Sequence, residues 1–212
     1  MTHIDYTLYL VTDRSVMSAK SLEQAVEQAI QGGCTVVQLR EKYASSREFF
    51  ETAQRVKQIT DSYHIPLIIN DRTDICLAVN AAGIHIGQQD LSAKIVRSMV
   101  GPDKIIGVSA ATLSEAIQAE QDGADYLGVG AMFATSTKTN TRPVTIERLT
   151  QIKQAVQIPV VAIGGIQSSN VTTLTDTGID GIAVVSAILA QENITHAAEQ
   201  LKACFTGAGH EV

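Results

Sequence analysis

Residues 66–91 read PLIINDRTDICLAVNAAGIHIGQQDL, and this stretch decides the fold. The apolar run 66–70 has the length and composition of a buried strand. It ends in Asn70-Asp71. A short helical segment follows, then a second strand at 83–86 that runs out into Gly87-Gln88-Gln89-Asp90. Two successive strands thus each release an acid at the carboxyl end. In a parallel α/β sheet or barrel that edge is where sites are built. Asp71 and Asp90 are therefore expected to be neighbours in space. Two hard oxygen ligands there suit a Mg²⁺ that also holds substrate phosphates. The plainer alternative is that each Asp caps the helix after it, since Asp is a favoured N-cap.

Working outward, apolar runs at 8–12, 34–39, 103–109, 125–130, 159–163 and 181–185 supply six more strands. Helices are predicted over 21–30, 45–63, 92–100, 112–121, 146–156 and 168–176, with a last one from Ser186. Ser21 and Gln24 stand in capping-box spacing at the first of these. Gly33, Gly83, Gly123 and Gly178 lead into strands two, four, six and eight, and Pro66, Pro102 and Pro159 into three, five and seven. Glycine suits a left-handed helix end, and proline a strand's first residue. The strands are continuous apolar runs, as expected when both faces are buried. Eight units in 212 residues give about 26 residues each, near the lower limit for a closed eightfold barrel. The predicted architecture is α/β, a single (β/α)8 TIM barrel of parallel strands. One catalytic domain covers 1–212, with 206–212 a flexible tail. An open doubly wound sheet is the alternative, weakened because no GxGxxG follows the first strand.

Hydrophobic residues make up 45% of the chain and charged ones 18%, the balance of a soluble globular protein. A formal charge of −6 argues against a general nucleic-acid surface, though not against phosphate ligands. Cys34, Cys76 and Cys204 are too widely spaced for a CxxC or a zinc set. Cys34 opens an apolar strand and reads as a core residue. The start carries no secretory pattern, and no run of 18 apolar residues exists, so a cytoplasmic address without a membrane span is expected.

A barrel gathers every strand's carboxyl end at one mouth. The sequence places there Gln38, Arg40 and Lys42; Asn70, Asp71 and Asp90; Ser109; Thr135, Ser136, Thr137 and Lys138; Gly164-Gly165; and Val185-Ser186. Cations, small hydroxyls, glycines and two acids are what multiply phosphorylated ligands require. Backbone N–H groups of Gly165 and Ser186, near predicted helix starts, are candidate phosphate donors. No GxSxG, HExxH or Ser-His-Asp set appears, and His85, inside strand four, reads as a packed, hydrogen-bonded side chain. The mouth is rich in anion binders and short of general bases. That combination fits chemistry driven by stabilising a leaving group.

The segments LYLVTD, VVQLREK, PLIINDRTDICLAV, GIHIGQQDL, GVSAAT, GADYLGVGAMFATSTK, PVVAIGGI and GIAVVSAI, in this order, resemble the thiamine-phosphate synthase family from about residue 8 to 189. The resemblance implies a (β/α)8 barrel. It implies a transferase joining hydroxymethylpyrimidine diphosphate to a thiazole phosphate, or its carboxylated form, to give thiamine phosphate and pyrophosphate. It implies that Gln38, Leu39, Arg40, Glu41, Lys42, Asn70, Ser109 and Lys138 hold the pyrimidine diphosphate, and that Asp71 and Asp90 hold Mg²⁺. It implies Thr135, Ser136, Thr137, Gly165, Val185 and Ser186 for the thiazole phosphate. Lys138, Arg40, Lys42 and Ser109 are expected to act in catalysis. The partners implied are small molecules, with neither nucleic acid nor membrane, and a homo-oligomer is open.

Two positions depart from the family pattern. Ala111 stands where Ser-x-His-Thr places a histidine, and Ala134 where the loop often has proline. A thiazole tautomerase of the same fold needs an acid–base residue where Ala131 and Met132 stand. A non-catalytic regulator is opposed by the intact Arg40, Lys42, Asp71, Asp90 and Lys138. A Schiff-base aldolase would use Lys138 as its amine.

Overall fold

The computed structural model describes residues 4–135 and 142–207. Eight parallel strands, β1 to β8, close on themselves in sequence order. They are Leu8–Val11, Val36–Leu39, Leu67–Asn70, Gly83–Ile86, Ile105–Ala110, Tyr126–Val129, Val160–Ile163 and Gly181–Val184. Helices α1 to α6 lie between them: Leu22–Gln31, Ser46–Ser62, Thr73–Ala78, Ala93–Val100, Leu113–Gln121 and Ile146–Ala155. The predicted barrel is observed. Among the described residues no helix is long and apolar enough to cross a membrane.

The strand alternation sorts the core into two parts. Leu8, Leu10, Val37, Leu39, Ile69, Ile84, Ile106, Leu127, Val160 and Ile182 face the helices in one large apolar cluster. Tyr9, Val11, Val36, Ile68, Tyr126, Val161 and Ala183 pack in a smaller cluster. Their register places this second set in the lumen. Glycine makes the lumen possible. A Cβ on Gly107 would lie 2.1 Å from Tyr126 Cζ, and one on Gly128 would lie 3.0 Å from His85 Cε1. These two strand glycines are the spaces into which the large rings fit.

The alternation of strand leads has a conformational basis. Gly33, Gly123 and Gly178 adopt φ of +97°, +90° and +75° before β2, β6 and β8, and Asn80 takes the same role before β4 at +52°. Ser21 Oγ accepts from the Gln24 N–H as expected, while the reciprocal capping box is found at Ser45 and Glu48.

Three elements differ from the sequence reading. The segment predicted as a helix over 168–176 is a 3-10 helix, Val171–Thr177. The hydroxyls of Thr173, Thr175 and Thr177 each donate to the carbonyl three residues back, which competes with α-helical bonding. The last helix is two: α7, Ser186–Leu189, and α8, Ile194–Thr206. Ser18 Oγ, from the β1–α1 loop, donates to the Leu189 carbonyl where α7 stops, and Asn193 Oδ1 caps the start of α8. Helix α8 runs to Thr206, one residue into the predicted tail, with Gly207 as its C-cap, and 208–212 lie outside the described residues.

Replacing Gly107 with alanine should destabilise the protein by about 1–3 kcal/mol, because the new methyl overpacks against the Tyr126 ring. Urea unfolding measures this, and an unchanged midpoint would contradict the lumen packing.

Candidate active site

The mouth begins with what the strand ends present. Strands β3 and β4 are adjacent, with Asn70 opposite His85, so Asp71 and Asp90 leave neighbouring strands. Asp71 is close enough to act on the Asp90 carboxyl. Neither caps a helix through its side chain. The N-cap of α3 is Arg72 and that of α4 is Ser92, and neither start has a side-chain cap bond. Asp71 has a φ of +61°, a left-handed conformation uncommon outside glycine. Its N–H donates to the His85 carbonyl at 2.9 Å, which locks this turn to β4. Asp90 is exposed as a residue, but its carboxylate turns inward and accepts the Gly87 N–H at 2.7 Å. Partial burial raises the Asp90 pKa, and the charge of Asp71 raises it further, against the lowering effect of the Gly87 bond and of Lys42.

The two nearby cations have protein partners. Lys42 Nζ donates to Asp71 Oδ2. Arg40 Nη1 donates to Asp13 Oδ2 at 2.7 Å in a half-buried pair, and its backbone N–H donates to the Thr12 hydroxyl. Glu41, on the rim between them, accepts from Arg14 Nε at 2.6 Å. The Leu39 side chain is fully buried against the helices. Only its backbone can serve a ligand at the mouth.

The loops after β6 and β7 are stitched together. Met132 and Phe133 donate backbone N–H groups to the carbonyls of Ile163 and Gly164 at 3.0 and 2.9 Å. Gly165 has a φ of +64°, and a Cβ there would sit 2.4 Å from the Ala134 carbonyl oxygen. The glycine pair is therefore a close approach between loops as well as a turn. Gly165 does not open a helix, as the 3-10 segment starts at Val171. Instead Asn170 Nδ2 donates to its carbonyl at 3.0 Å. Half-buried Val185 and exposed Ser186 sit at the start of α7, beside these loops. Thr135 is the last described residue of the β6 loop, and Ser136, Thr137 and Lys138 lie outside the described residues. On the far side of that segment Arg142 makes a two-pronged pair with Glu115 at 2.6 and 2.8 Å. Glu115 also accepts the N–H of Ala111, at the position where the histidine of the family pattern would stand.

Below the mouth lies a group that sequence reasoning reached only in part. Gln38 Nε2 donates to the Tyr9 hydroxyl at 2.9 Å, Tyr9 and Tyr126 hydroxyls are 2.7 Å apart, and Tyr126 lies 2.9 Å from His85 Nδ1. His85 Nε2 is 2.9 Å from Ser109 Oγ. The expectation of a packed, hydrogen-bonded His85 is met, and it bridges two predicted site residues through two unpredicted tyrosines. The signal was present in Gly107 and Gly128, glycines inside strand runs, which mark a large neighbour. Cys34 is a core thiol whose pKa burial pushes up to about 12, which leaves it unreactive.

Fold and site together define a TIM barrel whose mouth combines neighbouring carboxylates with paired cations. The model of the family "Thiamine monophosphate synthase" matches residues 8–188. The thiamine-phosphate synthase of Ruminiclostridium cellulolyticum is 61% identical over 202 residues, covering 95% of this chain and 96% of that protein. That of Clostridium tetani is 58% identical, with 96% and 97% covered. The solved thiamine phosphate pyrophosphorylase from Pyrococcus furiosus superposes with a TM-score of 0.89 at 38% identity, covering 97% and 98% of the two chains. The chain belongs to the thiamine monophosphate synthase family.

The charge arrangement makes a stability prediction. The folded pKa of Asp90 is raised, so its ionisation is harder in the fold than in the unfolded chain. Stability is thus lost as pH rises from the ordinary Asp range through the folded value, and neutral pH lies on the costly side. Asp90→Asn should raise the Tm of metal-free protein slightly at neutral pH, with the difference fading on acidification. A lowered Tm at pH 7 would show that the Asp71–Asp90 apposition carries no repulsion.

Proposed function

We propose that the mouth joins the two halves of thiamine phosphate by a Mg²⁺-assisted dissociative substitution. The chain is a transferase of the thiamine-phosphate synthase type. The nitrogen of the thiazole phosphate forms a bond to the exocyclic methylene of the pyrimidine diphosphate, and the methylene–oxygen bond breaks to release pyrophosphate. The observation that supports this reading is Lys42, Asp71 and Asp90 close together, with Arg40 on the same loop after β2. The thiazole nitrogen attacks with a lone pair and loses no proton, so the bond-forming step needs no base.

The donor set fits magnesium. Two neighbouring carboxylates of like charge call for counter-charge, and Lys42 pairs with one of them. Among the described residues no group of three or more metal-ligating side chains forms. A cation there would have two protein carboxylates and would complete its shell from water and phosphate, as Mg²⁺ does. Asp71 and Asp90 are the residues that would hold it, and its charge would stabilise the departing diphosphate.

The chain's own groups do the rest. Lys42, whose ion pair with Asp71 is partly exposed, would turn toward the diphosphate. Arg40, held by Asp13, meets it in a fixed orientation, and Lys138 adds a third cation. Charge that grows on the leaving group is met by these preset donors, which is electrostatic stabilisation with positioning. The stitched β6 and β7 loops, with Thr135, Ser136, Thr137, Gly165, Val185 and Ser186, hold the thiazole phosphate and orient its nitrogen. Three free thiols among the described residues suit a reducing cytoplasm.

The direct test is to mix both phosphorylated precursors with the protein and Mg²⁺ and to detect thiamine phosphate; absence of product overturns the reading. If the two carboxylates share one metal, Asp71→Asn and Asp90→Asn each lower kcat/KM by roughly 10²–10³-fold. The double variant then resembles the worse single one, since groups acting together are non-additive. Asn tolerates the left-handed φ at 71, so the fold survives. Additive losses with an unaltered Mg²⁺ dependence would mean two separate roles.

A further inference from the structure

Five side chains cross the barrel interior as one hydrogen-bonded line: Gln38 on β2, Tyr9 on β1, Tyr126 on β6, His85 on β4 and Ser109 on β5. Tyr9 and Tyr126 are 1% and 0% exposed, and burial pushes both phenols well above their usual pKa range. Each therefore keeps its single hydrogen, and the hydrogens can be counted along the line.

One direction along the line leaves no hydrogen of it unpartnered. Gln38 Nε2 can only donate, so Tyr9 accepts at that contact and sends its own hydrogen to Tyr126. Tyr126 then accepts from Tyr9 and sends its hydrogen to His85 Nδ1. An imidazole whose Nδ1 accepts is neutral and carries its hydrogen on Nε2. That N–H donates to Ser109 Oγ at 2.9 Å. Ser109 is thereby an acceptor toward the interior, and its own hydrogen is left to donate elsewhere. The reverse order would give Tyr9 two donors and leave its buried hydrogen to find another acceptor, a costly arrangement.

We propose that Tyr9, Tyr126 and His85 are positioning residues that fix His85 as its Nε2–H tautomer and so set the Ser109 hydroxyl as a hydrogen-bond donor to the substrate at the mouth. The inference rests on the proposed function only for what Ser109 meets. The tautomer itself is a property of the free protein. A donor at Ser109 suits an anionic or lone-pair-bearing group of the pyrimidine diphosphate. An acceptor there would repel the same group.

Two measurements test it. In the first, protein labelled with ¹⁵N-histidine is examined by long-range ¹H–¹⁵N correlation, with His85→Gln to assign the signal. Neutral His85 protonated on Nε2 is expected. A hydrogen on Nδ1 would overturn the proposal whether or not the protein makes thiamine phosphate. The second is a cycle of Tyr126→Phe and Ser109→Ala. Tyr126→Phe keeps the ring but removes the donor to Nδ1, and should lower kcat by roughly tenfold, the scale of one hydrogen bond, with little change in KM for the thiazole phosphate. In the Ser109→Ala background the same change should cost almost nothing, because the line then has no end to act on. His85→Gln, which can place an amide N–H near the Nε2 position, should retain more activity than His85→Leu. Equal tenfold losses in both backgrounds, or no loss in either, would reduce the line to packing.

Discussion

Closing eight short strands on themselves forces every second side chain into a lumen with no access to water except at its mouth. The rest of the molecule is an answer to that constraint. The outward set is solved by apolar packing against helices. The inward set must fill a narrow space, and it does so with two tyrosines and a histidine set against two glycines, Gly107 and Gly128. Burying such polar atoms singly would be costly. Joined in a line they satisfy one another, and among the described residues no buried side-chain nitrogen or oxygen lacks a partner. The lumen is thus an ordered polar rod surrounded by an apolar sleeve.

At the mouth the same closure works on charge. Adjacent strands that each end in an acid cannot keep those acids apart, so β3 and β4 bring Asp71 and Asp90 together. Lys42 answers in the absence of another cation. Arg40 has its own acid in Asp13. Short-range pairs hold Arg40 and Lys42 at the mouth of a chain whose net charge is −6.

The barrel was legible because both faces of its strands are buried, so that 66–70 and 83–86 stand out without help from tertiary structure. The acid pair was legible because its position follows from topology alone. The line through the lumen was not, since Tyr9 and Tyr126 lie 117 residues apart and meet only after closure. Asp13 as the partner of Arg40 was missed for the same reason. Leu39 was drawn into the site by lying between site residues, although the period of a strand sends it to the opposite face. The 3-10 segment failed for a local reason. Threonine hydroxyls at 173, 175 and 177 take carbonyls that an α-helix reading assigns to the backbone.

The two polar systems divide the work by rigidity. Groups that must not move, Gln38 and Ser109, are fastened to strands and to each other through rings that cannot rotate away in a filled lumen. On the rim, by contrast, Lys42 is half-exposed and its ion pair is screened by water. A buried Lys42–Asp71 pair would resist exchange, because separating it would leave an uncompensated charge. Exposure makes the exchange feasible, while the left-handed turn at Asp71, tied to His85 through its N–H, keeps the carboxylate in place as its partner leaves. The substitution proposed above, whose nucleophile brings no proton to remove, would draw on this combination of a fixed donor, neighbouring acids and an exposed cation.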